Sequence, residues 1–218
     1  MDRRRIIDIS MVILLPMLMA YSLLGETFHE AAGTLMFILF IVHHVMNRGW
    51  YRSLKRKKPA PADVLRLILN ALLAVFMILQ PVTGILMSKH LYTFIDAGGA
   101  VSAARQIHLV CAYWGFVLLC IHAGIHLIQP VGKLMKKRPA AGKILCTAAA
   151  AVSCYGVFAF VRRGLADYMF MRKTFAFFDF SEPRALFFLD HISVMILFMT
   201  IGCILMKTMM QSERRQNE

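Results

Sequence analysis

Of the eight histidines in this chain, the six best placed for chemistry fall in two apolar stretches. His29, His43 and His44 lie in one stretch, and His108, His122 and His126 in the other. An ionisable or metal-binding side chain inside a membrane helix is expensive, and such residues are usually functional. His29 and His43 are fourteen positions apart, and so are His108 and His122. Fourteen residues fall about 40° short of four turns in a straight helix and come close to phase in a supercoiled one. Each pair therefore lines one helix face, with a rise of about 21 Å between its members. Facing imidazoles at matched depth supply the two axial nitrogens of a haem iron. The spacing predicts two haem b groups, one held by His29 and His108 and the other by His43 and His122.

The remaining histidines test that choice. His126 is eighteen positions from His108, a rise of about 27 Å, which overshoots the partner helix. It stands one turn beyond His122, as an alternative ligand or a partner for a haem propionate. His44 is rotated about 100° from His43 and points at a different neighbour. It reads as a hydrogen-bonded core residue, although the doubled His43-His44 leaves the ligand at that end less settled than at the other. Gly33, one turn after His29, removes a side chain where a macrocycle comes close to the backbone. Arg105 and Lys89 at one end, and Arg48 and Arg52 at the other, are candidate propionate partners. Equally, they express the charge bias of loops that flank membrane helices. Cys111, Cys120, Cys146, Cys154 and Cys203 form neither CxxC nor CxxCH, so covalent haem attachment and iron–sulfur roles have no support.

The elements that must position these residues are membrane helices. The chain is 59% hydrophobic and only 17% charged, with a mean hydropathy of +0.62, which a soluble domain of this length would not show. Its net charge of +13 sits in short runs between apolar segments, a membrane-orienting pattern rather than a nucleic-acid footprint. Six stretches are long enough to span a bilayer, near 6–25, 27–49, 63–88, 106–129, 143–163 and 185–208. Pro16 and Pro81 fall inside spans and predict kinks. The connections are short, with no GxGxxG or Walker loop, so residues 1–218 read as one all-α, polytopic membrane bundle with haems between the second and fourth helices. Arg3-Arg4-Arg5 before an apolar run resembles a secretory signal. The poor cleavage site around Ala20-Tyr21-Ser22, with apolar residues continuing to Leu24, favours a retained helix.

With a cytoplasmic N-terminus, about three quarters of the 25 Lys and Arg fall on the inner side. This places both termini in the cytoplasm and the protein in the cell membrane as a multi-pass chain. The second and fourth spans then run parallel, with His29 and His108 near the outer face and His43 and His122 near the inner one.

The stretch His29-Glu30-x-x-Gly33, followed by His43, Asn47 and Trp50, resembles the flavinylation-associated transmembrane cytochromes, a family long catalogued only as a domain of unknown function. The likeness extends to His108/His122-x-x-x-His126 and to Phe177-Phe178-Asp179-Phe180-x-Glu182-Pro183, and so covers most of the chain. The wider architecture is similar to ferric reductase and cytochrome b bundles, which also pair histidines about four turns apart. The resemblance implies a bis-histidine dihaem electron carrier that works with extracytoplasmic flavin-bearing partners.

Segment 164–184 is external and aromatic and is expected to lie along the membrane interface, as a quinone cradle, a docking surface or an ordinary aromatic belt. Asp190 and His191, with His90 on the same side, could take protons from a quinol. Three function classes follow. An electron conduit would link a cytoplasmic or quinol donor to an external acceptor. A quinol-oxidising or quinone-reducing membrane oxidoreductase is the alternative, although the chain has no substrate domain. A non-haem metal-ion transporter needs acids beside histidines within the spans, and only Asp190 and Glu30 come near. The conduit is the favoured reading.

Overall fold

A computed structural model describes residues 3–54, 60–176 and 178–216, and among these no strand occurs. Five helices are long and apolar enough to cross a membrane, within 26–46, 61–86, 98–137, 139–162 and 184–213. They are α3 (Glu26–Met46), α5 (Pro61–Leu86), α6 (Val101–Lys137), α7 (Pro139–Arg162) and α9 (Arg184–Gln216). Short helices α4 (Arg48–Leu54) and α8 (Leu165–Met169) lie between them.

The first expected span, 6–25, is divided into α1 (Arg3–Met19) and α2 (Tyr21–Leu24). Ala20 departs from helical geometry (φ −87°, ψ 33°) between them. Gly25 then takes φ 90°, open to glycine but strained for other residues, and turns the chain into α3. Pro61 and Pro139 stand in the first turns of α5 and α7, where a missing N–H is no loss. The fourth span was expected to end near 129, yet α6 runs through Pro130 to Lys137. Its polar last turns stay helical until Arg138, the single residue before α7.

The chain forms two compact units. The first comprises residues 1–58, 74–113 and 167–188. In it α1 packs along α3, burying Leu15, Ala32 and Met36. The Glu30 carboxylate of α3 accepts hydrogen bonds from the Ser88 hydroxyl (2.7 Å) and from the amides of Lys89 (2.9 Å) and Leu91 (2.8 Å). One turn on, Thr34 meets the Tyr92 hydroxyl at 2.9 Å. The segment after α5 is thus fastened to α3. Tyr113 of α6 stacks on Tyr168 at 4.5 Å, so part of the 164–184 aromatic segment is buried packing. Within the same segment, Asp179 accepts bonds from the Ser181 amide and hydroxyl, which hold its carboxyl below the usual range and shape the turn before α9.

The second unit comprises residues 59–73, 114–166 and 189–218. Its core gathers Ala62, Leu69, Leu73, Ile125 and Met206. A Cβ at Gly124 would strike the Met199 carbonyl, and one at Gly202 would strike that of Ile121. Helices α6 and α9 therefore touch backbone to backbone at a reciprocal glycine pair, a packing favoured where lipid removes the hydrophobic drive between helices. Asp190 is fully buried and accepts bonds from the Tyr155 hydroxyl (2.7 Å), Arg162 (2.5 Å) and Arg163 Nε (2.6 Å). The carboxylate that the sequence offered for proton uptake beside His191 is engaged by two guanidiniums.

Candidate functional site

His29 lies in the first turns of α3 and His108 in the first turns of α6, both in the first unit. Their ring centroids are 6.1 Å apart, with the planes inclined at 63°. One metal ion shared by two imidazoles requires about 6 Å, from two bonds of about 2 Å plus the offset of each nitrogen from its ring centre. The separation fits one iron between these two rings.

The hydrogen bonds of His108 determine which nitrogen is free. Its Nδ1 lies 3.0 Å from Thr83 Oγ1 and 3.2 Å from the Gln80 carbonyl. The Thr83 hydroxyl donates to the Leu79 carbonyl at 2.7 Å, so its oxygen accepts from His108. Both neighbours of Nδ1 are acceptors. Nδ1 therefore carries the proton and Nε2 keeps its lone pair, the tautomer that a metal ligand needs. His29 differs: its Nδ1 is buried without a hydrogen bond of good geometry, the Leu18 backbone lies near the ring, and the Tyr21 ring stands edge-on at 5.3 Å. A buried polar atom left unpaired marks a place where a further group belongs.

Two glycines stand near these rings. A Cβ at Gly33 would meet only Leu18 Cδ2, at 4.0 Å. A Cβ at Gly84, which sequence reasoning passed over, would lie 3.5 Å from His108 Cε1. A side chain at 84 would come into van der Waals contact with the edge of that imidazole.

His43, near the other end of α3, places Nδ1 2.7 Å from Asp8 Oδ1 on α1. A carboxylate only accepts, so here too Nδ1 bears a proton, and in the neutral ring Nε2 keeps the lone pair, with the Asn47 amide 3.5 Å from it. His44 bonds the Phe40 carbonyl at 2.9 Å through Nδ1 and packs against Phe40 and Tyr51. His122 and His126 pack with centroids 4.7 Å apart in the second unit, His126 being the more exposed. His43 and His122 thus belong to different units.

Of the basic residues, Arg105 is exposed with its guanidinium 5.5 Å from the Phe175 ring. It lines an open cavity of about 520 Å³ with Ser102, Gln106 and Thr174. Lys89 pairs with Glu26 at 2.9 Å. Arg48 opens α4 and is exposed, while the Arg52 side chain, Lys55–Lys58 and Phe177 lie outside the described residues.

Among the described residues no three His, Cys, Asp or Glu side chains converge as a metal cage. A haem would need only two nitrogens from the protein, and the spacing of His29 and His108 is compatible with that. The model of the family described as prokaryotic cytochrome b561 matches residues 7–137, more than half of the chain and a stretch within which all six of these histidines fall. The chain belongs to the prokaryotic cytochrome b561 family. Cytochrome b561 proteins bind b-type haem and carry electrons across the membrane, and this chain is an integral membrane protein of that kind. No curated protein and no solved structure matches it.

For this cytochrome b561 chain, sequence reasoning missed Asp8, Thr83 and Gly84. Asp8 had a visible signal, being the lone acid in the first apolar stretch. Thr83 and Gly84 had none apart from their closeness to Pro81.

Proposed function

We propose that this cytochrome b561-family protein is a two-haem conduit, with His29 and His108 as the iron ligands near one face and His43 and His122 as those near the other. The facing of His29 and His108, with the His108 tautomer locked, carries the reading. The second pair rests on the fourteen-residue repeat, a rise of about 21 Å along each helix. Gly33 leaves space for the macrocycle. Arg105 at one end, Arg48 and Arg52 at the other, and His126 below His122 are the propionate partners. Bound haem supplies a one-electron centre, and the protein's part is to hold it, exclude water and set its potential.

The charge bias places both termini in the cytoplasm and His29 and His108 at the outer face of the cell membrane. The donor is cytoplasmic or drawn from the quinone pool. The acceptor is an extracytoplasmic flavoprotein, a choice supported by the likeness to flavinylation-associated cytochromes. On this reading the partner docks near His29 and His108.

Purified protein should show the sharp reduced α-band of bis-histidine haem b at about two haems per chain, extractable by acid acetone. Colourless protein from haem-replete cells would exclude the reading. Vesicles carrying the oriented protein and an internal reductant should reduce an external flavoprotein. If the haems reduce but no electron leaves, a quinone-linked oxidoreductase takes its place.

A further inference from the structure

We propose that Asp8 is the positioning residue of His43 and makes the His43 end the more reducing of the two haem ends, so that electrons run from His43 towards His29 and His108. The inference rests on the reading that His43 and His108 each ligate a haem, and it adds the direction of flow.

The two imidazoles share a tautomer but differ in what their Nδ1 protons face. At His43 the acceptor is a carboxylate at 2.7 Å, the short distance of a charge-assisted bond. At His108 the acceptors are a hydroxyl at 3.0 Å and a carbonyl at 3.2 Å, both neutral. A carboxylate drawing on Nδ1–H pushes electron density onto Nε2 and raises the basicity of the imidazole. A more basic ligand favours the oxidised metal and lowers its potential, and hydrogen bonding around the ligand is one of the recognised means by which a protein tunes haem.

The other charges do not cancel this difference. The acids beside His29 on α3 are turned to other partners: Glu30 to Ser88, Lys89 and Leu91, and Glu26 to Tyr21 and Lys89. Arg3, Arg4, Arg5 and Arg48, on the helix ends nearest the Asp8–His43 pair, are exposed. Arg3, Arg5 and Arg48 act through solvent, whereas Asp8, its side chain itself 49% exposed, acts through a direct bond.

Each transfer moves one electron and no proton. A haem held at His43 would give up that electron and one held at His29 and His108 would take it up, with no bond made or broken. A quinol or other reductant reloads the first, and a flavin-class oxidant empties the second.

The test is potentiometric titration of the full-length haem-loaded protein in lipid discs. Unaltered protein should give two midpoints. Asp8→Asn should raise the lower one, reducing the equilibrium constant between the haems about tenfold, or about 59 mV for a one-electron couple. The upper midpoint and the haem content should hold, and Asp8→Glu should restore the lower value. Two retained haems with an unmoved lower midpoint would leave Asp8 a structural tie between α1 and α3 and overturn the inference. Should Asp8→Asn shed haem, His29→Ala decides: the haem that remains must be the one of lower potential, and a survivor of higher potential overturns the inference. A His29→Ala protein that keeps both haems would instead defeat the underlying ligand assignment.

Discussion

Thr83 and His108 meet across α5 and α6 with hydroxyl oxygen and Nδ1 3.0 Å apart, the threonine proton already committed to the Leu79 carbonyl. Thr83→Val keeps the branched shape and removes the acceptor. The protein should lose about 1 kcal/mol of stability, and the midpoint of one haem should rise while haem content stays constant. Redox titration beside thermal unfolding checks both effects, and Thr83→Ser should reverse them.

Glu30 and Lys89 take part in the same fastening but should respond differently. Glu30→Ala removes the acceptor of three bonds and should cost about 2 kcal/mol or more. Lys89→Ala removes only an exposed ion pair with Glu26, worth at most about 1 kcal/mol, and keeps the backbone bond to Glu30. Unfolding midpoints of the two variants in one detergent give the comparison.

Two glycines of α6 should part in the same way. Gly124→Ala drives a methyl into the Met199 carbonyl, and overpacking of this kind costs about 1–3 kcal/mol. Gly132 has nothing within 4 Å of a new Cβ, so Gly132→Ala should be neutral or stabilising by up to about 1 kcal/mol. Equal losses in both, measured by thermal unfolding, would contradict the close approach of α6 and α9.

Asp190→Ala removes the buried carboxylate shared by Arg162 and Arg163, and because those side chains are 34% and 17% exposed the loss should fall below the roughly 3–5 kcal/mol of a fully buried pair. The variant should unfold well before the parent while any assembled haem keeps its spectrum. A normal unfolding temperature together with slowed quinol oxidation would return Asp190 to the proton-uptake role.

Haem counts on single variants separate the histidines. His29→Ala and His108→Ala should each leave about one haem per chain, as should His43→Ala and His122→Ala. His44→Ala should leave two, because its Nδ1 serves the Phe40 carbonyl. Loss of a haem in His126→Ala but not in His122→Ala would move the second ligand one turn along α6.

Much of this was readable from residue order. Helical periodicity depends on one chain segment at a time, so the apolar spans and the fourteen-residue repeats could be read directly. His29 and His108 do lie close, 6.1 Å between ring centroids, as matched depth on two helices led one to expect; their role as ligands is a proposal. What escaped depends on the rotation of one helix against another. That Asp8 reaches His43, that Thr83 reaches His108 and that Arg162 and Arg163 converge on Asp190 are relations between distant segments, and each turns on a few tens of degrees. Helix ends were misjudged for a local reason. Composition marked the polar tail of α6 as loop, yet Pro130 removes a single N–H and nothing stops the helix before Pro139.

The brevity of α1 has a consequence for the surrounding lipid. Its seventeen described residues rise about 26 Å, short of the roughly 30 Å of a hydrocarbon core, and α1 is not among the five helices long and apolar enough to cross. On the six-span reading it would be shorter than its solvent and would thin the bilayer beside it, at a fraction of a kcal/mol for each ångström of mismatch. The protein should therefore be sensitive to acyl-chain length, and its N-terminal helix, with the carboxylate it brings to His43, should sit best in the thinner bilayer of shorter-chain lipids.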